Sequence, residues 1–419
     1  MIHNNKIVAY TFSIFAISSA IISFYLNINL SVIASYTGIN EYLSEFNIFT
    51  KDGGAVSDLK THWLYIQLLK EDVNNLTLYE LGVDIKLLNY PLHHLIVSQI
   101  PFINSNLKIY LSIFFIISLF LPVLFYKCLI IKYENINKDK LLALASIVYI
   151  LPGFQYSAIW GNPHITALFF LLFSIYFFLK LKKLNFENNN YIYYSLFFLA
   201  LAAYVKQFYV FLFPFFLFII LKEKTISPIK IIIYLLTLGL PGLFFLIKNP
   251  ILLFGLNTLN ITNFPSSLLI CSSIIFFYLI PFIFQYFYNN PLNYRLLFLE
   301  ILKKKSTILI ITLVFFILYN YFYYESNIGG GVIYKISNII LDNNYIFLVS
   351  AYFGIYSIFY YSGNNIDNYF LSLLLLISFS TGFFVFQKYF EPMFFILLLS
   401  FYDKKRIEKS IIPSINWII

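Results

Sequence analysis

Apolar residues run along this chain in long unbroken blocks, without the alternation of a half-buried strand and without a polar face at helical spacing. About 20 apolar residues coiled as a helix match the hydrocarbon core of a bilayer. Blocks of that character lie at Ile7–Leu30, Ile109–Ile131, Leu141–Ile159, Ile165–Leu179, Tyr191–Val205 and Phe208–Leu221. Others follow at Ile231–Ile247, Leu268–Phe287, Thr307–Tyr324, Tyr345–Tyr361, Tyr369–Phe386 and Phe390–Tyr402. The pattern predicts an all-α integral membrane protein with about 12 transmembrane helices, one polytopic unit over residues 1–419. Residues 36–106 then form a single large loop between the first two helices.

Composition leaves no room for a hidden soluble domain, because 60% of the 419 residues are hydrophobic and 11% are charged. The net charge of +9 comes from bases scattered singly between apolar runs, so it forms no nucleic-acid-binding face and reads as topology instead. With the N-terminus cytoplasmic, the loops assigned inside hold 19 of the 28 basic residues, including Lys180, Lys182, Lys183, Lys222, Lys404, Lys405 and Arg406. That count requires the apolar stretch Tyr191–Leu221 to be two short helices split at Lys206-Gln207, since one helix would turn every later loop over. Loop 36–106 is then extracytoplasmic. The first run carries no small-residue cleavage site and is expected as a retained helix. Cys128 and Cys271 both lie in apolar runs, which favours packing over a disulfide framework or a zinc site. Arginine is confined to Arg295 and Arg406 while Lys, Asn, Ile, Phe and Tyr abound, the bias of an AT-rich bacterial genome. The expected location is a bacterial inner membrane, with the site on its extracytoplasmic side.

The first loop interrupts this apolar chain with "GGAVSDLKTHWLYIQ", Gly53 to Gln67. Ser57 suits the N-cap of a helix from Asp58 to about Lys70, on which Leu59, Trp63, Ile66 and Leu69 make an apolar stripe. Asp58, His62 and Tyr65 share another face, so an acid and an imidazole stand one turn apart and address one ligand. A carboxylate beside a membrane cavity suits a general base; the plainer reading is a first-turn acid complementing the helix dipole. Pro91 is expected at the first position of a short helix bearing His93 and His94, which as neighbours cannot share a face for a metal. No HExxH, DxD or zinc spacing occurs, so no metal site is expected, and Asp52 with Asp58 alone gives only weak support for a divalent ion.

Polar groups recur where the later helices reach the outer face: Trp160-Gly-Asn-Pro-His164, Lys206-Gln207, Lys335, and Gln387-Lys388-Tyr389 with Glu391. Singly, each reads as interfacial anchoring. On one face with Asp58, the lysines suit a phosphate and the carboxylate suits a sugar hydroxyl.

The arrangement resembles the polytopic GT-C glycosyltransferases, which use polyprenyl-phosphate sugars and follow their first helix with a large outer loop bearing the catalytic acid. "SDLKTHWLYI" followed by "NYPLHHLI" matches that loop, and "WGNPHITALFFLLFSIYF" is similar to the family's Gly-Asn/Gln-x-Asp segment and the helix after it. "YVKQFYVF" and "QKYFEPMFFILLL" faintly resemble segments of the dolichyl-phosphate-glucose α-1,2-glucosyltransferase family, with Lys where that family has Arg. His164 stands where relatives often carry an acid, and the acid usually paired with the one at Asp58 is missing. The resemblance implies an inverting transferase moving a sugar from a polyprenyl-phosphate donor to a glycan or lipid-linked acceptor. Asp58 is then the catalytic base, Lys206 and Lys388 bind the donor phosphate, and His62, His164, Gln207 and Tyr389 position the substrates. The rival classes are a flippase or transporter of lipid-linked saccharides, disfavoured by uncharged helix centres, and a polysaccharide polymerase, whose large outer loop is expected later in the chain.

Overall fold

The structure, a computed structural model, describes residues 2–27, 55–72, 90–223, 226–248, 263–289, 305–324, 329–380, 385–409 and 411. Every extended regular element among them is a helix. A bilayer explains this, since an apolar segment in lipid must satisfy its backbone polar groups internally.

Helix α1, Ile2–Asn27, carries small residues on one side: Ala9, Ser13, Ala16 and Ala20 are all buried. Without large side chains in the way, α1 packs closely on a neighbouring helix, and Ser146 donates to Ser13 at 2.8 Å across the contact. Helix α2, Ala55–Glu71, begins before the expected Ser57 cap, so Ser57 lies inside its first turn. The short helices α3, Leu92–Ser98, and α4, Pro101–Asn104, return the chain to the bundle, with Pro91 at the N-cap of α3 rather than its first position. Helices α5, Leu107–Ser118, and α6, Leu121–Lys132, together form one apolar span of 26 residues.

Helix α7, Lys138–Ile150, and helix α8, Pro152–Ile159, meet at 61°. The cause is local: Leu151 precedes a proline and is forced into an extended conformation, with φ −66° and ψ 124°. The expected span Leu141–Ile159 is therefore a bent pair. Helix α9, His164–Lys183, follows a turn at Gly161 with φ +58°. The expected split at Lys206 is present. Helix α10, Asn189–Val205, stops at Lys206, which is extended, and a 3-10 helix over Gln207–Leu212 leads into α11, Phe213–Lys222. The remaining helices are α12, Pro228–Lys248; α13, Phe264–Asn289; α14, Lys305–Asn320; α15, Gly331–Leu341; α16, Tyr345–Ser362; α17, Ile366–Ser380; and α18, Gln387–Phe401.

Among the described residues, six helices are long and apolar enough to cross a membrane, or up to seven with the bent pair, against the 12 expected over the whole chain. Among the described residues five further apolar helices are shorter, α15 among them. One contiguous apolar core runs from Ala9 to Ile411, and both cysteines are buried in it as free thiols.

The bundle has two chemically distinct ends, about 30 Å apart by the 20-residue length of α9 at about 1.5 Å per residue. At its Lys183 end, Lys132 donates to the carbonyls of Leu399 and Tyr402, closing the last turn of α18. Lys182 lies over Phe401, Lys222 pairs with Asp367 at 3.0 Å, and Arg406 bonds the Tyr360 carbonyl. The His164 end holds Asp58, His62, Lys206 and Lys388.

Candidate functional site

The apolar stripe of α2 packs as expected, with Leu59, Ile66 and Leu69 buried and Trp63 half-buried. Its first turn thereby places Asp58 against α8 and the start of α18. The Lys388 ammonium meets Asp58 Oδ2 at 2.5 Å, and the Tyr156 hydroxyl lies 3.1 Å from that oxygen and 3.0 Å from the ammonium. Lys388 also sits over the Tyr156 ring at 4.2 Å and the Phe386 ring at 5.2 Å. The carboxylate is 34% exposed and the lysine side chain 12%. So close an approach of α8 to α18 needs Gly153, where a Cβ would lie 2.6 Å from Glu391 Oε2 and 2.9 Å from Lys388 Cα. The Glu391 carboxylate accepts from the Gly153 amide at 2.8 Å and shares a hydrogen bond with Tyr278. Glu391 thus ties the first turn of α8 to the turn of α18 that carries Lys388.

Lys206 is buried, in the extended link between α10 and the 3-10 helix, where its amide still bonds the Ala202 carbonyl. Burial pulls its ammonium down to about 8 from an ordinary 10.5; the Asp58 charge opposes that and the Lys388 charge adds to it. Lys388, ahead of the apolar run of α18, is likewise lowered by burial and held up by Asp58. The two ammonium groups and the carboxylate are therefore near enough to act on one another. Both lysines also act on His164, which is buried, stacks on Tyr209, and has its amide bonded to Asn162 Oδ1 at 3.0 Å.

The histidines of the first loop form a neutral polar layer beside these charges. His62 Nδ1 meets His94 Nε2 at 3.0 Å, and desolvation followed by the Lys206 charge holds His62 well below the usual imidazole value. The Tyr110 hydroxyl donates to the Gly161 carbonyl at 2.5 Å and so accepts from His93 Nε2 at 3.0 Å. His93 Nδ1 is then the acceptor for the Thr166 hydroxyl at 2.8 Å. This chain fixes the His93 tautomer and holds α3, α5 and α9 together with the turn before α9.

Asp58, His62, His164, Lys206 and Lys388 are thus brought to one end of the bundle. Tyr65 instead turns into a small apolar cluster with Leu69, Leu95 and Phe245, edge-on to His94. Gln207 is half-buried at the start of the 3-10 helix, and no contact among the described residues links it to Asp58. Lys335 is exposed on α15. The Tyr389 side chain and Asp52 lie outside the described residues. Tyr156 escaped the sequence reading because nothing marks one tyrosine among 36. Glu391 was noticed, but its bond to Gly153, 238 residues away, was not visible. No group of three or more His, Cys, Asp or Glu is placed to hold a metal among the described residues. What the arrangement offers is a partly accessible carboxylate paired with Lys388, with the buried Lys206 ammonium within electrostatic range of both.

An apolar cavity of about 430 Å³ flanks the Lys206 link, lined by Ala203, Tyr204, Val210, Phe213, Leu235 and Gly242 among others. Fold and site together define, over the described residues, an all-helical protein with membrane-length spans and a charged cluster, Asp58 with Lys388, at the end opposite Lys132, Lys222 and Arg406. The chain matches no family model, no curated protein and no solved structure.

Proposed function

We propose that the protein is an inverting glycosyltransferase that takes a sugar from a polyprenyl-phosphate donor at the extracytoplasmic face of a bacterial inner membrane. The observation that carries this reading is the Asp58–Lys388 ion pair, with the buried Lys206 ammonium within electrostatic range of it. In the reaction, Asp58 takes the proton of an acceptor hydroxyl as that oxygen forms a bond to the anomeric carbon. The bond from that carbon to the phosphate oxygen breaks, its electron pair stays with the phosphate, and polyprenyl phosphate leaves beside Lys206 and Lys388. Neutral His62 and the buried His164 serve the sugar hydroxyls, and the apolar cavity beside Lys206 suits the prenyl chain. In this reading α10 and the shorter apolar helices other than α15 cross the membrane with the longer ones, and the acceptor is a glycan or a lipid-linked saccharide.

The test is transfer of labelled sugar from synthetic polyprenyl-phosphate donors by the purified protein, with Asp58→Asn reducing turnover at least about a hundredfold. Near-normal turnover of that variant removes Asp58 from the role of base. One observation favours a second reading, a flippase for lipid-linked saccharides: the broken pair α7 and α8, since discontinuous helices mark substrate sites in transporters. Movement of a fluorescent lipid-phosphate sugar across vesicles, without any transfer, would establish it.

A further inference from the structure

Two features at the Asp58 end differ in a way that bears on the order of events. Lys206 is buried in a link pinned by its own backbone bond to Ala202, away from the Asp58 ion pair's own hydrogen bonds. Lys388 stands at the edge of the site on a flexible four-carbon stem, and its ammonium already spends donors on Asp58 Oδ2 at 2.5 Å and on the Tyr156 hydroxyl at 3.0 Å. A phosphate drawing on the same ammonium competes with the carboxylate, and the two anions repel each other across it. By linkage, whatever the carboxylate takes from phosphate binding, phosphate binding takes from the ion pair.

We propose that the Asp58–Lys388 ion pair is a latch opened by the lipid phosphate: the arriving phosphate draws Lys388 away and leaves the Asp58 carboxylate, held by Tyr156, able to accept a proton. The inference rests on the donor reading given above. Tyr156 has a positioning role in it. Its hydroxyl bridges both partners while the latch is closed, and keeps Asp58 Oδ2 in place at 3.1 Å once Lys388 has turned to the phosphate. The consequence is compulsory order: donor binds first, and the base becomes competent only with a phosphate in place.

The experiment is a double-mutant cycle on the affinity of undecaprenyl phosphate for the purified, detergent-solubilised full chain. If the latch exists, Asp58→Asn tightens binding about tenfold, the scale of one charge-assisted hydrogen bond. In the Lys388→Gln background the same change gains little, because no ammonium is left to release. Asp58→Ala carries the test if the amide variant does not fold. Unchanged or weaker binding in Asp58→Asn overturns the latch while leaving the donor reading intact. An equal gain with and without Lys388 also overturns it, since that is plain charge repulsion. Absence of undecaprenyl phosphate binding in every variant, wild type included, overturns both. The series is repeated with inorganic phosphate: a gain confined to the lipid form assigns the headgroup of a membrane lipid as the key, and an equal gain assigns free phosphate.

Discussion

Lys206→Met separates stability from function at this site. The wild-type ammonium is 4% exposed and lowered from 10.5 to about 8 by burial, against the opposing pull of Asp58. At about 1.4 kcal/mol per pKa unit, holding that charge costs the folded state about 3 kcal/mol at neutral pH. Methionine has a similar length and no charge, so the variant should be more stable by up to that amount at pH 7. The sign follows from proton binding. Below pH 8 the lysine is charged in both folded and unfolded chains and the cost is complete. Between pH 8 and 10.5 the folded protein binds fewer protons than the unfolded one, so wild-type stability rises with pH and the advantage of the variant shrinks. Above 10.5 none remains. Denaturant or thermal unfolding of both proteins in one detergent from pH 7 to 10.5 measures this, and donor use by the variant should be lost across the range. A variant no more stable at pH 7, or one whose advantage does not fade with pH, would refute the claim that a cation is held at this position against its desolvation.

In the wild type, donor use should itself fall as pH is raised through about 8, with Lys206→Arg moving that limb upward. Gly153→Ala should lower stability by about 1–3 kcal/mol by driving α8 from α18, seen as a lower unfolding midpoint together with lost activity. Lys132→Met should cost about 1–2 kcal/mol, because the Tyr402 carbonyl loses its lysine donor while Leu399 keeps the Tyr133 hydroxyl. A single cysteine at Lys70, exposed on α2, should react with an impermeant maleimide from outside intact cells, and one at Lys405 only after permeabilisation; Cys128 and Cys271 are buried and silent. The reverse labelling would overturn the topology.

Periodicity and charge made much of this protein legible in one dimension. Unbroken apolar runs require helices, because in lipid no other open structure satisfies the backbone. The break at Lys206 was readable because a charge and an amide interrupt an apolar run, and the stripe of α2 because helical spacing puts Leu59, Ile66 and Leu69 on one side. The exact extents were not, since a helix ends where neighbours and capping groups allow: α2 opens ahead of Ser57, and Pro152 turns one expected span through 61°.

Asp58, Lys206 and Lys388 could each be singled out from the sequence because a charge beside apolar helices is costly and therefore conspicuous. Their partners could not. Only the bend at Pro152 and the missing side chain of Gly153 bring Tyr156 and Lys388 to Asp58, across separations of 98 and 330 residues. Likewise the pairing of His62 with His94 follows from how α2 docks on α3, while spacing alone pointed to Asp58 and Tyr65 as companions. The sequence by itself determined which groups were too polar to ignore. Tertiary packing decided which of them touch, because contacts between distant segments depend on helix bends and small-residue approaches that leave no periodic trace along the chain.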